Sequence, residues 1–161
     1  MISLTRIKAL LLQEAYLTRG SLEIIIDLFF FSVMSVVVFG FVSVFLQKAV
    51  GSTVAYYLLM GMLLWEIVRI TQYSISVGAL WNIWSRNLSN MFITPLSIIE
   101  YLIASMISGA LKAFLTFIII SLIAMELFDF NMFSVGLLNL FFFVLNLTMF
   151  SWSIGILILA L

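Results

Sequence analysis

Four long apolar stretches occupy most of this 161-residue chain and leave few folds open to it. We predict them from Leu22 or Ile24 to Leu46, from Val54 past Ile70, from Ser97 to Met125 and from Ser134 to the end. Each stretch supplies the roughly 20 apolar residues that a helix needs to cross about 30 Å of hydrocarbon. Lipid offers the backbone no hydrogen-bond partners, and apolar and polar residues do not strictly alternate, so helices are expected rather than a barrel. The sequence therefore predicts an all-α, polytopic membrane bundle with four transmembrane helices.

The composition agrees with a membrane location and excludes several functions. Hydrophobic residues make up 65% of the chain and charged residues 9%, whereas about a quarter of a soluble domain is charged. Seven basic and seven acidic residues leave no net charge, so nothing indicates nucleic-acid binding. The chain has no cysteine and no histidine, which excludes disulfides, thiolate or imidazole metal sites and Ser-His or Cys-His nucleophiles. We therefore predict neither an enzyme nor a metal site.

Residues 1–20 precede the first apolar stretch and predict an amphipathic helix. Leu4, Ile7, Leu11 and Ala15 recur on one helical stripe, with charged and amide side chains elsewhere. A helix with one apolar and one polar face typically lies in the membrane interface, so an interfacial helix is predicted here. A partly solvated helix without a docking role is the alternative.

Basic residues flank the apolar stretches unevenly and predict the orientation of the chain. Arg6, Lys8 and Arg19 precede the first stretch and Arg86 follows the second, whereas Lys48 is the one basic residue in the first connection. Because basic connections stay on the cytoplasmic side, we predict a multi-pass protein of the cell (inner) membrane with a cytoplasmic N-terminus.

Four charged residues fall inside the apolar stretches: Asp27, Glu66, Arg69 and Lys112. A charge in the bilayer is costly, so each of them is expected to face protein or water. Their signs cancel, and Glu66 and Arg69 are three positions apart on one helix face. Structural ion pairs that join helices one, two and three are one interpretation, and a polar pathway that touches substrate is the other. The balance of charge favours the structural interpretation.

Polar and small residues recur at helical spacing in the last two stretches. Helix three carries Ser105, Gly109 and Ala113 at four-residue intervals, which predicts close helix packing. Helix four carries Asn139, Asn146 and Ser153 at seven-residue intervals. We expect this second face to point inward, where it bonds across helices or lines a cavity.

A polar elbow, Ser85 to Leu102, separates the second stretch from the third. Thr94 followed by Pro95 is typical of a helix start, and Ser97 with Glu100 reads as a capping box one turn later. The entry to helix three is therefore defined only to within a turn.

Just before helix three, an amphipathic segment puts apolar residues on one face and polar residues on the other: Leu88, Met91 and Phe92 against Arg86, Asn87, Ser89 and Asn90. One interpretation of this segment is a turn that rests on the membrane surface, and a docking element for a partner protein is the other.

The elbow, its ITPLS ending and Glu100 resemble the segment between the second and third membrane helices of ABC-transporter permeases of the type-2 exporter class. The resemblance covers the chain loosely and is specific from Arg86 to Glu100. It implies a six-helix permease that dimerises, with a cytoplasmic coupling elbow over residues 83–96 and a separate ATPase subunit that holds ATP and Mg. The residues that it implies in the ATPase contact are Arg86, Asn87, Leu88, Ser89, Asn90, Met91, Phe92 and Pro95.

The chain departs from the family pattern in two respects. It has four predicted spans instead of six and stops inside an apolar run, which predicts a fragment that ends after the fourth helix. Ser89 also stands where an acidic residue is often found in that family. Even so, the resemblance implies one permease domain, residues 1–161, embedded in the lipid bilayer.

The expected function is the permease subunit of an ATP-driven ABC exporter, which forms the substrate pathway and couples to the ATPase. This chain has no phosphate-binding G-x-x-x-x-G-K-[ST] loop, so no cofactor is expected in it and ATP hydrolysis must come from a partner. The alternatives are an ion-coupled secondary transporter that uses the four membrane charges as a relay, an intramembrane enzyme, and a non-transporting membrane scaffold.

Overall fold

The structure is a computed structural model that describes residues 2–161, apart from the side chains of Leu88 and Phe92. The described residues are all-helical, as the sequence predicts. The helices are α1 (Leu4–Gly20), α2 (Leu22–Ala49), α3 (Ser52–Trp84), α4 (Asn87–Ile93), α5 (Ile98–Phe128) and α6 (Leu137–Ala160). A short 3₁₀ turn, Met132–Val135, precedes α6.

Within residues 2–161, four helices are long and apolar enough to cross a membrane: α2, α3, α5 and α6. They confirm the four predicted apolar helices and fit a multi-pass membrane protein. Their outward faces carry large apolar side chains such as Phe41, Leu111 and Phe142, each more than half exposed. Such a surface suits lipid rather than water. The 33 residues of α3 make it about 50 Å long, so it exceeds the hydrocarbon thickness and reaches Trp84.

The membrane helix α2 contains one π-helical turn, Ile26–Phe30, near its start. A π turn widens the helix and disturbs the regular i→i−4 bonding of backbone carbonyls. Here it includes Asp27, whose backbone carbonyl accepts a hydrogen bond from Arg69 of α3 at 3.2 Å. The irregular turn therefore supplies a backbone acceptor inside an otherwise apolar helix.

Small residues let α5 and α6 approach the central helix α3. A Cβ built on Gly109 of α5 would lie 2.9 Å from Ser74 Cβ and 3.1 Å from the Thr71 carbonyl oxygen. A Cβ built on Gly155 of α6 would lie 3.0 Å from Ile75 Cβ. The predicted small-residue face of helix three thus packs within the chain, against α3.

The predicted polar face of α6 does not point inward. Asn139, Asn146 and Ser153 are all exposed. Asn139 donates to the Val135 carbonyl of the preceding 3₁₀ turn, and Ser153 donates to the Met149 carbonyl of α6. The buried face of α6 consists instead of Leu140, Ser151 and Gly155. The reason is steric, since the side that meets Ile75 of α3 has room for small residues and not for amides.

Helix α1 packs on the bundle with a stripe that only partly matches the predicted one. Ile7, a member of the predicted stripe, is buried with Leu10 against Tyr101 and Ala104 of α5, and Leu11 is half-buried beside them. The other two members of the predicted stripe, Leu4 and Ala15, are exposed. This packing leaves the interfacial position of α1 a prediction. Because the start of α1 meets the start of α5, both lie with α4 at one end of the bundle, which we call the elbow end.

Candidate functional site

Charged side chains from α2 and α3 meet around the guanidinium of Arg69. Its Nε donates to Glu66 Oε2 at 3.0 Å, and its Nη1 lies 3.5 Å from Asp27 Oδ1. Its Nη2 donates to the Ser32 hydroxyl at 3.0 Å, and Ser32 Oγ lies 2.8 Å from Glu66 Oε2. We call Asp27, Ser32, Glu66 and Arg69 the Arg69 cluster. It ties α2 to α3.

The Arg69 cluster compensates charges that lipid would otherwise penalise. Glu66 is 2% exposed, and the side chains of Asp27 and Arg69 are about a quarter exposed. A lone charge at the centre of a helix costs about 2.5–3.5 kcal/mol or more on insertion scales, so Glu66 requires a partner. The ion pair that the sequence predicts between Glu66 and Arg69 is present. Two carboxylates face one guanidinium, so the cluster carries one excess negative charge when both are ionised.

Lys112 does not join the Arg69 cluster, although the sequence analysis groups it with those charges. Its Nζ donates to Glu14 Oε2 at 3.0 Å and so connects α5 to α1. Sequence reasoning missed Glu14 because it placed α1 in the interface, away from α5. The stripe pattern of α1 held no signal for this contact, since Glu14 belongs to its polar side.

A cavity of about 420 Å³ lies between α1, the start of α2 and the last turns of α3, and α5 contributes one residue to its wall. Its ionisable lining residues are Glu14, Glu23, Asp27, Tyr73 and Lys112. Apolar and aromatic walls come from Leu17, Ile24, Leu28 and Trp81, and polar groups from Ser21, Ser74, Asn82, Ser85 and Asn87. Asp27 and Lys112 thus bring two separate ion-paired groups to one space. Its volume suits a single small organic molecule.

Two aromatic residues of α3 form one wall of this cavity. They are Tyr73 and Trp81, which lie about two helical turns apart on α3. Trp81 also packs edge to face against Trp84, with ring centroids 5.7 Å apart. In the part of the chain that the structure describes, no three carboxylates approach closely enough to hold a metal ion.

The elbow helix α4 is joined to α3 by two residues, Ser85 and Arg86. Arg86 adopts the left-handed conformation, with φ of 55°, which turns the chain sharply after Trp84. Ser89 and Asn90 on α4 are exposed, whereas Met91 is half-buried. The predicted apolar anchors Leu88 and Phe92 have side chains outside the described residues. Of the predicted polar face, Ser89 and Asn90 are thus exposed, whereas Asn87 is half-buried against α3.

A chain of side-chain hydrogen bonds connects α4 to both long helices. Asn87 Nδ2 of α4 donates to Asn82 Oδ1 of α3 at 3.1 Å, and Asn82 Nδ2 donates to the Tyr101 hydroxyl of α5 at 3.0 Å. We call Asn87, Asn82 and Tyr101 the amide bridge. Two of its members, Asn82 and Asn87, also line the cavity. The sequence held no periodic signal for this bridge, because its members lie on three different helices.

The start of α5 is fixed at Ser97. Ser97 Oγ accepts from the Glu100 backbone N–H at 3.2 Å, and Glu100 Oε2 accepts from the Ser97 N–H at 2.9 Å. This is the predicted capping box, and it decides between the two candidate starts. Thr94 instead ends α4, with its hydroxyl donating to the Met91 carbonyl at 2.5 Å.

Glu100 also holds the N-terminal helix in place. Its Oε1 accepts from the Ser3 backbone N–H at 2.7 Å, and its Oε2 lies 3.1 Å from Arg6 Nη1. Arg6 Nη1 further donates to the Pro95 carbonyl. Glu100 is fully buried in this arrangement. One carboxylate therefore caps α5 and anchors α1 to the elbow.

Comparison of the chain with known protein families, with curated proteins and with solved structures finds no match. What the protein does is therefore inferred from its own residues and contacts. Two features carry that inference, the cavity with its charged rim and the elbow helix that the amide bridge connects to it.

Proposed function

We propose that this chain is a permease subunit of an ATP-driven exporter of the type-2 ABC class. In this proposal the elbow docks on a separate ATPase subunit, which supplies ATP and Mg, and two permease chains together form the substrate pathway. The basic residues at the elbow end support its cytoplasmic position. The permease itself then hydrolyses nothing and converts a push on α4 into movement of the membrane helices.

The amide bridge is the observation that supports the proposal best. Short connections leave little slack between α4 and its two neighbours, and hydrogen bonds join Asn87 to Asn82 and Asn82 to Tyr101. A displacement of α4 is therefore transmitted to α3 and α5 rather than absorbed in a loop. Because Asn82 and Asn87 line the cavity, the same displacement changes the cavity wall. Docking and substrate binding are thereby coupled through one set of contacts.

The Arg69 cluster gives little support to the alternative function, an ion-coupled carrier. A proton or cation relay needs a carboxylate that alternates between partners. Glu66 and Asp27 both contact the same guanidinium, so neither is held free for such exchange. The cluster fits a structural role in joining α2 to α3.

Photo-crosslinking in the native membrane tests the docking step. A photoreactive amino acid at Ser89, an exposed position on α4, should crosslink to a nucleotide-binding subunit, with a yield that changes when ATP and vanadate are added. The matched control is Ser52, which is exposed at the opposite end of α3. If Ser89 captures no ATP-binding protein, or if Ser52 captures the same one equally, the proposed docking is wrong.

A conservative variant tests the coupling step separately. Tyr101→Phe keeps the ring but removes the hydroxyl that accepts from Asn82. In the permease–ATPase complex captured above, we expect an unchanged crosslink from Ser89 and a several-fold loss of substrate-stimulated ATP hydrolysis. Tyr57→Phe, at an exposed tyrosine near the start of α3, is the control. Full stimulation in Tyr101→Phe would show that the amide bridge does not transmit the movement.

A further inference from the structure

We propose that the cavity bounded by Glu23, Asp27, Tyr73 and Trp81 is a binding site for an amphipathic organic cation. The cation would carry one positive charge on a compact apolar body. The statement that this cavity is the substrate site of an exporter rests on the proposed function. The statement that it binds a cation rests on the cavity alone.

The charge of the cavity favours a cation. Among its carboxylates, Glu14 is compensated by Lys112 at 3.0 Å, and Asp27 shares Arg69 with Glu66. Glu23 lines the cavity, and its side chain makes no hydrogen bond or ion pair to the residues that the structure describes. With both of its carboxylates ionised, the Arg69 cluster adds one more negative charge to that of Glu23. A cation therefore improves the electrostatics of this space, and an anion worsens it.

The aromatic wall supplies a second feature that selects for positive charge. Tyr73 and Trp81 are 37% and 48% exposed, so their rings remain available to a ligand in the cavity. A cation over the face of an aromatic ring is attracted by the negative charge of that face, and more strongly where water is excluded. Glu23 and Asp27 line the same cavity as Tyr73 and Trp81, so one ligand can contact both the carboxylates and the aromatic wall.

The remaining lining residues indicate an apolar body rather than a bare ion. Leu17, Ile24 and Leu28 form an apolar surface beside the charged groups. A hydrated metal ion or a sugar would leave this surface wet, whereas an alkyl or aryl body would cover it. A volume of about 420 Å³ accommodates one such molecule. The site is thus selective for charge at one side and for apolar bulk at the other.

Direct binding to the purified full-length chain in nanodiscs, without any ATPase, tests this inference. The probe is radiolabelled tetraphenylphosphonium, a lipophilic cation. Radiolabelled tetraphenylborate, which has nearly the same shape and the opposite charge, is measured in a separate sample because the two ions pair with each other. Empty nanodiscs report partition of each ion into lipid. We expect saturable binding of about one cation per chain and no saturable binding of tetraphenylborate.

Two variants and a matched control assign the site. Glu23→Gln keeps the shape of an exposed side chain and should weaken cation binding about tenfold, or about 1.4 kcal/mol. Trp81→Leu should weaken it several-fold, and Glu126→Gln, an exposed carboxylate at the other end of the bundle, should leave it unchanged.

Either of two results would overturn the inference. The first is an absence of saturable cation binding, or saturable binding of tetraphenylborate with a similar affinity. The second is unchanged affinity in both Glu23→Gln and Trp81→Leu. Because no ATPase is present, either result leaves the elbow docking untouched, and failure of the Ser89 crosslink leaves this binding result intact.

Discussion

Arg69 compensates two carboxylates at once, and this decides which substitutions in the Arg69 cluster are tolerated. Arg69→Met keeps the aliphatic stem but leaves Glu66 and Asp27 without their shared cation. Glu66→Gln keeps the shape and leaves Arg69 paired with Asp27. We expect Arg69→Met to destabilise the chain more than Glu66→Gln, by up to about 3–5 kcal/mol where burial is complete.

The apparent melting temperature in detergent, read by size-exclusion chromatography of heated samples, measures this difference. The double variant Arg69→Met/Glu66→Gln should recover part of the loss, because it removes the buried charge that Arg69→Met leaves behind. If both single variants melt like the parent chain, the cluster has no structural role.

Gly109 lies at a close approach of α5 to the backbone of α3. An added methyl group meets Ser74 Cβ at 2.9 Å and the Thr71 carbonyl oxygen at 3.1 Å, and the carbonyl cannot rotate away. Gly109→Ala should therefore cost about 1–3 kcal/mol, despite the better helix propensity of alanine.

Gly61→Ala is the matched control, since nothing lies within 4 Å of a Cβ built there. Thermal melting of the two variants in the same detergent separates packing from propensity. Equal melting temperatures for Gly109→Ala and Gly61→Ala would contradict the close approach of α3 and α5.

At the level of elements, Glu100 links the start of α5 to the start of α1. Glu100→Gln removes the ion pair with Arg6 and weakens acceptance from the Ser3 backbone N–H. We expect faster hydrogen exchange throughout α1, with little change in α6, because the Glu100 carboxylate holds the start of α1. Otherwise apolar packing and the ion pair of Lys112 with Glu14 join α1 to α5.

Mass spectrometry of amide exchange resolves the two helices. Glu126→Gln provides the control for removing a carboxylate from α5 itself, since Glu126 is exposed near its C-terminal end. Unchanged exchange in α1 of the Glu100→Gln chain would show that apolar packing of Ile7 and Leu10 alone holds this helix.

For the whole molecule, the orientation in the membrane remains a prediction that the basic residues support. The chain has no cysteine, so one introduced thiol is unique. We expect Ser89→Cys to react with a membrane-impermeant maleimide only after the cells are opened, and Ser52→Cys to react in intact cells. Both positions are exposed, so access and not burial determines labelling. Labelling of Ser89→Cys from outside would reverse the topology and remove the basis for ATPase docking.

The sequence by itself determined those features that depend on neighbours along the chain. Apolar stretches of sufficient length predicted four membrane helices, because lipid requires the backbone to satisfy its own hydrogen bonds. The capping box of Ser97 and Glu100 and the ion pair of Glu66 and Arg69 each join residues three positions apart, so helical geometry alone brings them together.

Only the tertiary structure decided which helix faces meet. The pairing of Lys112 with Glu14 and of Arg6 with Glu100 joins residues more than 90 positions apart. Such contacts depend on how each helix is rotated and shifted against its neighbours. Small residues such as Gly109 and Gly155 set that rotation by allowing backbones to approach, and a spacing pattern does not reveal which partner they meet. The outward polar face of α6, the amide bridge and the cavity between α1, α2 and α3 are all consequences of that packing.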